Sequence, residues 1–234
     1  MLDVLADGGG ELGTNELARR AGINASTTSR LLATLAAREL VAYVPETGRY
    51  RLGRRLVELG HAAVGGTDLR ELARPHLSAL VEETGETTTL SAAGETDAVT
   101  IDFAQSSASV QSVARVGRPS IAHATAVGKV LLAFGGVEPP PEPLRAFTGR
   151  TITSRERLLA ELARVREEGF ALAVGEREED LNAIAAPVRG ADRELVAILG
   201  VQGPAPRFGP GRMEAALGAL VEHAQALSRS LGWR

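Results

Sequence analysis

The side chains that most often carry catalysis or metal binding are few and widely spaced in this chain of 234 residues. It has no cysteine, and its four histidines are His61, His76, His123 and His223. No two of them have the spacing of metal ligands on one element. Without cysteine, a disulfide scaffold, a thiolate metal site and a thiol nucleophile are excluded. We therefore expect no metal and no other cofactor.

Two features nevertheless have chemistry to offer. His123 stands just before an expected helix, and we predict that it caps or braces that helix and does not catalyse. An acidic cluster at residues 176–180 has the groups to bind a cation or act as a general base, but we expect a solvated loop. No Gly-x-Ser-x-Gly elbow, phosphate-binding loop or dinucleotide fingerprint is present. An enzyme is thus the alternative hypothesis.

The distribution of charge points to a different kind of partner. The chain carries a net charge of −3, yet residues 14–55 contain eight arginines and three acidic residues, a local charge of +5. A basic segment on an acidic chain is typical of a small DNA-binding module. No stretch approaches the roughly 20 apolar residues that span a bilayer, and no signal peptide is present. We expect a cytoplasmic protein without membrane contact.

The basic segment has the pattern of a helix-turn-helix. Thr14 is expected to cap a first helix, Gly22 to end it, and Asn24 to cap a second helix over residues 25–38. The expected core stripe of the second helix is Thr28, Leu31, Leu32 and Leu35, and its opposite face is Ser26, Ser29, Arg30 and Ala33. Small polar side chains let a helix enter the major groove. An ordinary helical hairpin is the alternative.

A hairpin follows at once. Residues 40–44 and 49–52 read as strands joined by the turn Pro45-Glu46-Thr47-Gly48. Arg49 and Arg51 share the exposed face, as in a wing whose arginines meet phosphates or the minor groove. The residues predicted to contact DNA are Thr14, Asn15, Ser26, Thr27, Ser29, Arg30, Thr34, Arg49 and Arg51.

The rest of the chain predicts an α+β domain. We place a DNA-binding domain at residues 1–65 and a second domain at 66–234, with helices at 54–63 and 68–84 linking them across Gly65 and Gly66. Expected strands are 87–92, 98–103, 110–116, 170–174, 184–189 and 195–201. Expected helices are 125–134, 154–168 and 212–231. Consecutive short strands with grouped helices favour an antiparallel sheet with flanking helices.

Motifs along nearly the whole chain resemble the IclR family. They include residues 15–22, 30–35 and 48–53 in the first domain, and 123–126 and 182–188 in the second. The resemblance implies a winged helix-turn-helix, a GAF-like sensing domain, and a homodimer or a dimer of dimers. It also implies that a small organic effector controls binding to a roughly palindromic operator, in repression or activation. Thr28 replaces a usual valine, and its hydroxyl needs a partner such as the Asn24 carbonyl. The chain starts inside the first helix that the family has, so that helix is expected to be short.

The resemblance also places the effector. Carried over by position, its cavity is lined by Val113, Ala126, Val127, Ala173, Ala183, Gly200 and Gln202. Several of these positions are polar in relatives that hold small keto acids and are small and apolar here. A larger, less polar effector is therefore expected, such as an aromatic or other carboxylate from a catabolic pathway. For each residue, core packing is the alternative. For the whole chain, the alternative is a GAF-like enzyme acting on a small metabolite.

Overall fold

The computed structural model describes residues 1–8, 10–56, 58–59, 69–94 and 96–233. The chain divides into two compact units, Met1–Asp68 and Leu69–Arg234. The predicted boundary at residues 65–67 and most of the second half of the predicted 54–63 helix lie outside the described residues, as does His61. None of the helices in the described ranges is long and apolar enough to cross a bilayer.

The first unit combines helices with a β-hairpin. Its elements are α1 (Leu2–Asp7), α2 (Thr14–Ala21), α3 (Ala25–Ala37), β1 (Val41–Val44) and β2 (Arg49–Leu52). One buried core joins the helices and the hairpin, made of Leu5, Leu12, Leu17, Leu32 and Val41. Leu12 also extends the hairpin, because it exchanges two backbone hydrogen bonds of 2.9 Å with Tyr50. This is the predicted winged helix-turn-helix.

Local chemistry explains the turn between α2 and α3. Gly22 ends α2 at a φ of 69°, which glycine adopts without strain. The Asn24 side chain accepts a hydrogen bond of 2.8 Å from the Thr27 N–H and so caps α3. The buried Thr28 hydroxyl donates to the Asn24 carbonyl at 3.0 Å. The partner predicted for this hydroxyl is confirmed.

Two details of this unit differ from the prediction. Gly13, in extended conformation, is the N-cap of α2, so Thr14 is the first helical residue and not the cap. Leu31 is 42% exposed, whereas Leu32 is fully buried. Neighbouring helical residues point about 100° apart, so a face centred on Thr28 and Leu32 carries Leu31 to its edge.

The second unit is a five-stranded antiparallel sheet with helices on both faces. The strands are β3 (Thr87–Ala93), β4 (Ala98–Ala104), β5 (Ala171–Val174), β6 (Leu181–Arg189) and β7 (Leu195–Pro204), in the order β4-β3-β7-β6-β5. The helices are α4 (Leu69–Thr84), α5 (Ala126–Phe134), α6 (Arg155–Glu168) and α7 (Pro210–Ser230). The predicted α+β class, with an antiparallel sheet, is confirmed.

Alternation along the strands sends side chains into two separate cores. On one face, Leu90, Ile184 and Leu199 pack with residues of α4 and α7. On the other, Ala185 and Ile198 pack with residues of α5 and α6. The second face is not covered along its whole length, which leaves room beside the start of α5.

The predicted strand at residues 110–116 is wrong. Its valines, Val110, Val113 and Val116, recur every third residue and are 67%, 55% and 59% exposed. A strand that covers a core needs a period of two. The edge of β4 is instead covered by the following segment, where Gly117 N–H donates to the Thr100 carbonyl and Ser120 N–H to the Ala98 carbonyl, both at 2.8 Å.

Candidate functional site

Helix α3 presents a polar outer face. Of the residues predicted to contact DNA, all but the half-buried Thr14 are exposed. The Arg30 side chain makes no hydrogen bond or ion pair with any described residue, so its guanidinium is available. The Thr34 hydroxyl donates to the Arg30 carbonyl at 3.0 Å and is therefore already engaged. Hydroxyl and guanidinium donors on an exposed helix suit phosphate oxygens and base edges.

The hairpin holds its two arginines differently. Arg49 pairs with Val44 and Arg51 with Ala42 across the hairpin, so both lie on one face. Arg49 donates to the Glu11 carbonyl at 3.2 Å, and the Thr47 hydroxyl donates to the Glu11 carboxylate at 2.7 Å. The Arg51 side chain has no partner among the described residues. No pattern in the sequence indicated that Glu11 anchors the tip of the hairpin.

The second unit contains a cavity of about 560 Å³ between the sheet, the start of α5 and the segment 110–120. Six of the seven residues predicted for the effector line it: Val113, Ala126, Val127, Ala173, Ala183 and Gln202. Gly200 lies behind the wall. A Cβ there would come 2.8 Å from the Thr89 hydroxyl and 3.4 Å from Val127. The absence of a side chain at Gly200 therefore leaves room for the Thr89 hydroxyl at the cavity wall.

Strand register assembles this wall. Gln202 pairs with Thr87 on one side and Ala183 on the other, and Ala183 pairs with Ala173. Paired residues share a face of the sheet, so Gln202, Ala183 and Ala173 form a row across the cavity wall. The Gln202 amide donates to the Ser112 hydroxyl at 2.7 Å, which joins the wall to the segment above it.

The cavity is also lined by hydroxyls that the sequence analysis did not select. Thr89, Ser91, Thr100 and Ser120 line it, and none of their hydroxyls bonds to a described residue. Thr89 and Ser91 are only 6% and 2% exposed. Polar residues at every second position of a buried strand were the available signal, since Thr87, Thr89 and Ser91 must share one face of β3.

A lysine and a glutamate form a buried ion pair beside the cavity. Lys129 Nζ lies 2.6 Å from Glu176 Oε1, 2.8 Å from the Leu172 carbonyl and 3.3 Å from Glu161 Oε1. Burial raises the pKa of Glu176, and the charge of Lys129 opposes the rise. The expected solvated loop at 176–180 is therefore wrong at its first residue. Lys129, the only lysine of an arginine-rich chain and placed within an apolar helix, was the signal in the sequence.

Three arginines, Arg115, Arg118 and Arg177, line the mouth of the cavity. Glu178 Oε1 lies 3.2 Å from Arg118 and 3.6 Å from Arg177, so one carboxylate forms ion pairs with two guanidinium groups. Burial, and then the charge of Arg118, lower the pKa of Arg177. An anion bound at the mouth would offset the repulsion between these positive charges.

His123 has a structural role, but not at the helix cap. Its Nε2 lies 2.9 Å from the Arg145 carbonyl, and the ring is buried. The cap of α5 is Thr125, whose hydroxyl accepts from the Gly128 N–H at 3.0 Å. Among the residues that the structure describes, no group of three or more histidines and carboxylates is placed to hold a metal ion.

Comparison with known proteins shows the same two modules. The family profile described as IclR helix-turn-helix domain matches residues 1–45, and the one described as bacterial transcriptional regulator IclR C-terminal matches residues 61–229. The transcriptional regulator XynR of Escherichia coli is 34% identical over 238 residues, which cover 100% of this chain and 94% of XynR. The transcriptional repressor IclR of Escherichia coli is 30% identical over 228 residues, which cover 94% of this chain and 83% of the repressor.

Solved structures of similar proteins share the fold. Pseudomonas aeruginosa HmgR has a TM-score of 0.80 at 26% identity, over 99% of this chain and 95% of that one. Thermotoga maritima IclR has a TM-score of 0.65 at 27% identity, over 99% and 96%. Both modules, their order and nearly the full length therefore agree, and the chain belongs to the IclR family of DNA-binding transcriptional regulators with a C-terminal effector-binding domain.

Proposed function

We propose that a small organic carboxylate binds in the cavity of the second unit and thereby changes the affinity of the first unit for an operator. The observation that carries the proposal is the cavity itself, which is lined by six of the seven residues predicted for the effector. Concave sites of this size with a few converging polar groups are typical of small-molecule sites. Gly200 contributes indirectly, through the room that it leaves for Thr89.

On the DNA side, α3 enters the major groove and the hairpin contacts the backbone. Ser26, Ser29 and Arg30 offer donors to base edges, and Arg51 offers an available guanidinium to phosphates. Asn15, Thr27 and Arg49 support the docking, and Thr14 and Thr34 lie at its edge. A single winged helix covers too few base pairs for specificity, so the functional unit is a homodimer or larger on a roughly palindromic site. Its DNA target places it in the bacterial cytoplasm.

The effector is bound and not turned over. Three features support this. Among the described residues, the lining carries neither a cysteine nor a histidine, its most buried carboxylate is paired with Lys129, and the family-matched wall positions are small and neutral.

Filling the cavity tests this proposal. Ala183→Trp places an indole in the cavity and should abolish the response of DNA binding to any carboxylate that raises the melting temperature of the wild type. Basal DNA binding should persist. Gly200→Phe is a poorer test, because its Cβ would collide with Thr89 before the ring reached the cavity. A normal response in Ala183→Trp, or consumption of the ligand by purified protein, would overturn the proposal.

A further inference from the structure

The chemistry of the cavity wall is uneven, and this bears on what it binds. On β5 and β6 the side chains of the wall are small: Ala173 and Ala183. On β3, β4 and the segment beside them the wall is hydroxylated: Thr89, Ser91, Thr100 and Ser120. No phenylalanine, tyrosine, tryptophan or histidine contributes to the lining among the described residues.

These hydroxyls are costly to cover with an apolar ligand. Thr89 and Ser91 are almost fully buried, and none of the four bonds to a described residue. The Ser120 oxygen also has no partner among the described residues, but it is already out of contact with solvent and so does not reach a ligand. A buried polar group without a partner costs free energy, whereas a ligand hydroxyl can donate to one such group and accept from another. Sites built in this way reject analogues that lack the hydroxyl.

The charges at the mouth favour an anion. Arg115, Arg118 and Arg177 face two available carboxylates, Glu178 and the exposed Asp180, because Glu176 is neutralised by Lys129. One positive charge is therefore in surplus. A guanidinium pairs well with a planar carboxylate, which can accept two parallel hydrogen bonds.

We propose that the effector of this regulator is an open-chain polyhydroxy carboxylate, with its hydroxyls on Thr89 and Ser91 and its carboxylate among the mouth arginines. This inference rests on the proposed function, since it specifies the ligand of the same cavity. It differs from the expectation of a larger, less polar effector, such as an aromatic or other catabolic carboxylate, which considered only the small residues Ala173, Ala183 and Gly200. The hydroxyls opposite them decide the chemistry.

Matched probes separate the two halves of the ligand. Calorimetric titration of the full chain would compare the aldonates erythronate, arabinonate and gluconate with fatty acids of the same length, which lack the hydroxyls. The alditols erythritol, arabitol and sorbitol lack the carboxylate, and benzoate represents the aromatic class. We expect at least one aldonate to bind at least about tenfold more tightly than its matched fatty acid, its alditol and benzoate.

Two variants of β3 locate the contact. Thr89→Val removes a hydroxyl from the cavity at constant shape and should weaken the aldonate about three- to tenfold, with no effect on a fatty acid. Thr88→Val makes the same change on the opposite face, where the hydroxyl donates to the Leu77 carbonyl at 2.9 Å. This control should lower stability and leave aldonate affinity unchanged.

Failure of the inference and failure of the proposed function give different results. If benzoate or a fatty acid binds more tightly than every aldonate and Ala183→Trp abolishes that binding, the ligand class is wrong and the cavity remains the effector site. If an aldonate binds Ala183→Trp as well as the wild type, both the site and the class are wrong. If no aldonate binds, the polyhydroxy class is overturned. DNA binding by the same samples then tests separately whether the protein acts as a regulator.

Discussion

Lys129 and Glu176 form an ion pair that is nearly excluded from water, at 1% and 11% side-chain exposure. Removing one partner of such a pair leaves an uncompensated charge. Lys129→Met should therefore lower the free energy of unfolding by about 3–5 kcal/mol. Urea denaturation followed by the fluorescence of Trp233, the only tryptophan, measures this.

The double variant is the control for this prediction. Lys129→Met with Glu176→Gln removes both charges and should recover part of the stability. The pKa of Glu176 is already raised by burial, so loss of Lys129 should raise it further. The single variant should then gain stability as the pH falls, because protonation removes the uncompensated charge. Equal stability of the single and double variants at neutral pH would contradict this account.

Arg30 and Arg51 should affect DNA binding in different ways. Arg30→Ala should weaken operator binding by about 1–3 kcal/mol if the guanidinium reads a base. Arg51→Ala should weaken binding to all sequences alike and reduce its salt dependence, because phosphate contacts release counterions. Anisotropy titrations with operator and random DNA at several salt concentrations measure both. Unchanged affinities in both variants would remove α3 and the hairpin from the interface.

Arg49 requires separate treatment. The sequence suggested that Arg49 contacts phosphates or the minor groove, but its guanidinium also donates to the Glu11 carbonyl. Arg49→Ala should thus weaken DNA binding and loosen the tip of the hairpin. Glu11→Gln is a useful comparison, since it alters the Thr47 contact at 2.7 Å and keeps the carbonyl that Arg49 uses.

At the scale of elements, a histidine pair joins α4 to α7. His76 Nδ1 and His223 Nδ1 are 2.9 Å apart, and His223 Nε2 lies 3.2 Å from Glu83. Such a hydrogen bond needs one unprotonated ring nitrogen. Burial, and then the charge of His223, lower the pKa of His76 from its ordinary value of 6.5.

Acid should therefore weaken the packing of α4 against α7. Because the pKa of His76 is lower in the folded state, its contribution to stability is complete above pH 6.5 and is lost as the pH falls below that value. Thermal unfolding between pH 7.5 and pH 5 should show a drop in melting temperature that is smaller in His76→Gln. An equal drop in both proteins would assign the acid sensitivity to other groups.

The elements also show what a sequence can predict. Caps and turns are local, so Gly22, Asn24 and even the bond from Thr28 to the Asn24 carbonyl followed from residue types. The exposed segment 110–116 did not, because β-branched residues favour a strand in general and only their spacing of three excluded one. The partners of Glu176 and Arg49 lie 47 and 38 residues away in the chain. Contacts at such separations depend on tertiary packing, which no local pattern encodes.

For the whole molecule, the first prediction concerns the symmetry of the protein and its operator. If two copies bind a palindromic operator, sedimentation velocity at micromolar concentration should show a dimer or larger, and footprints should show two half-sites about one helical turn, or a multiple of it, apart. A monomer with and without DNA would contradict the proposed dimer. Residues 61–229 would still match the profile of the IclR C-terminal domain in either case, because that match does not depend on the number of copies.

The central claim is that a ligand in the cavity changes the affinity for DNA. The direct test is the operator Kd measured by anisotropy, with and without the carboxylate that most raises the melting temperature, for the wild type and Ala183→Trp. We predict that the ligand changes the wild-type Kd about 5- to 150-fold, the usual range of coupling between two sites. We also predict that Ala183→Trp binds DNA like the unliganded wild type and does not respond. An unchanged wild-type Kd, or an equal change in both proteins, would contradict the account.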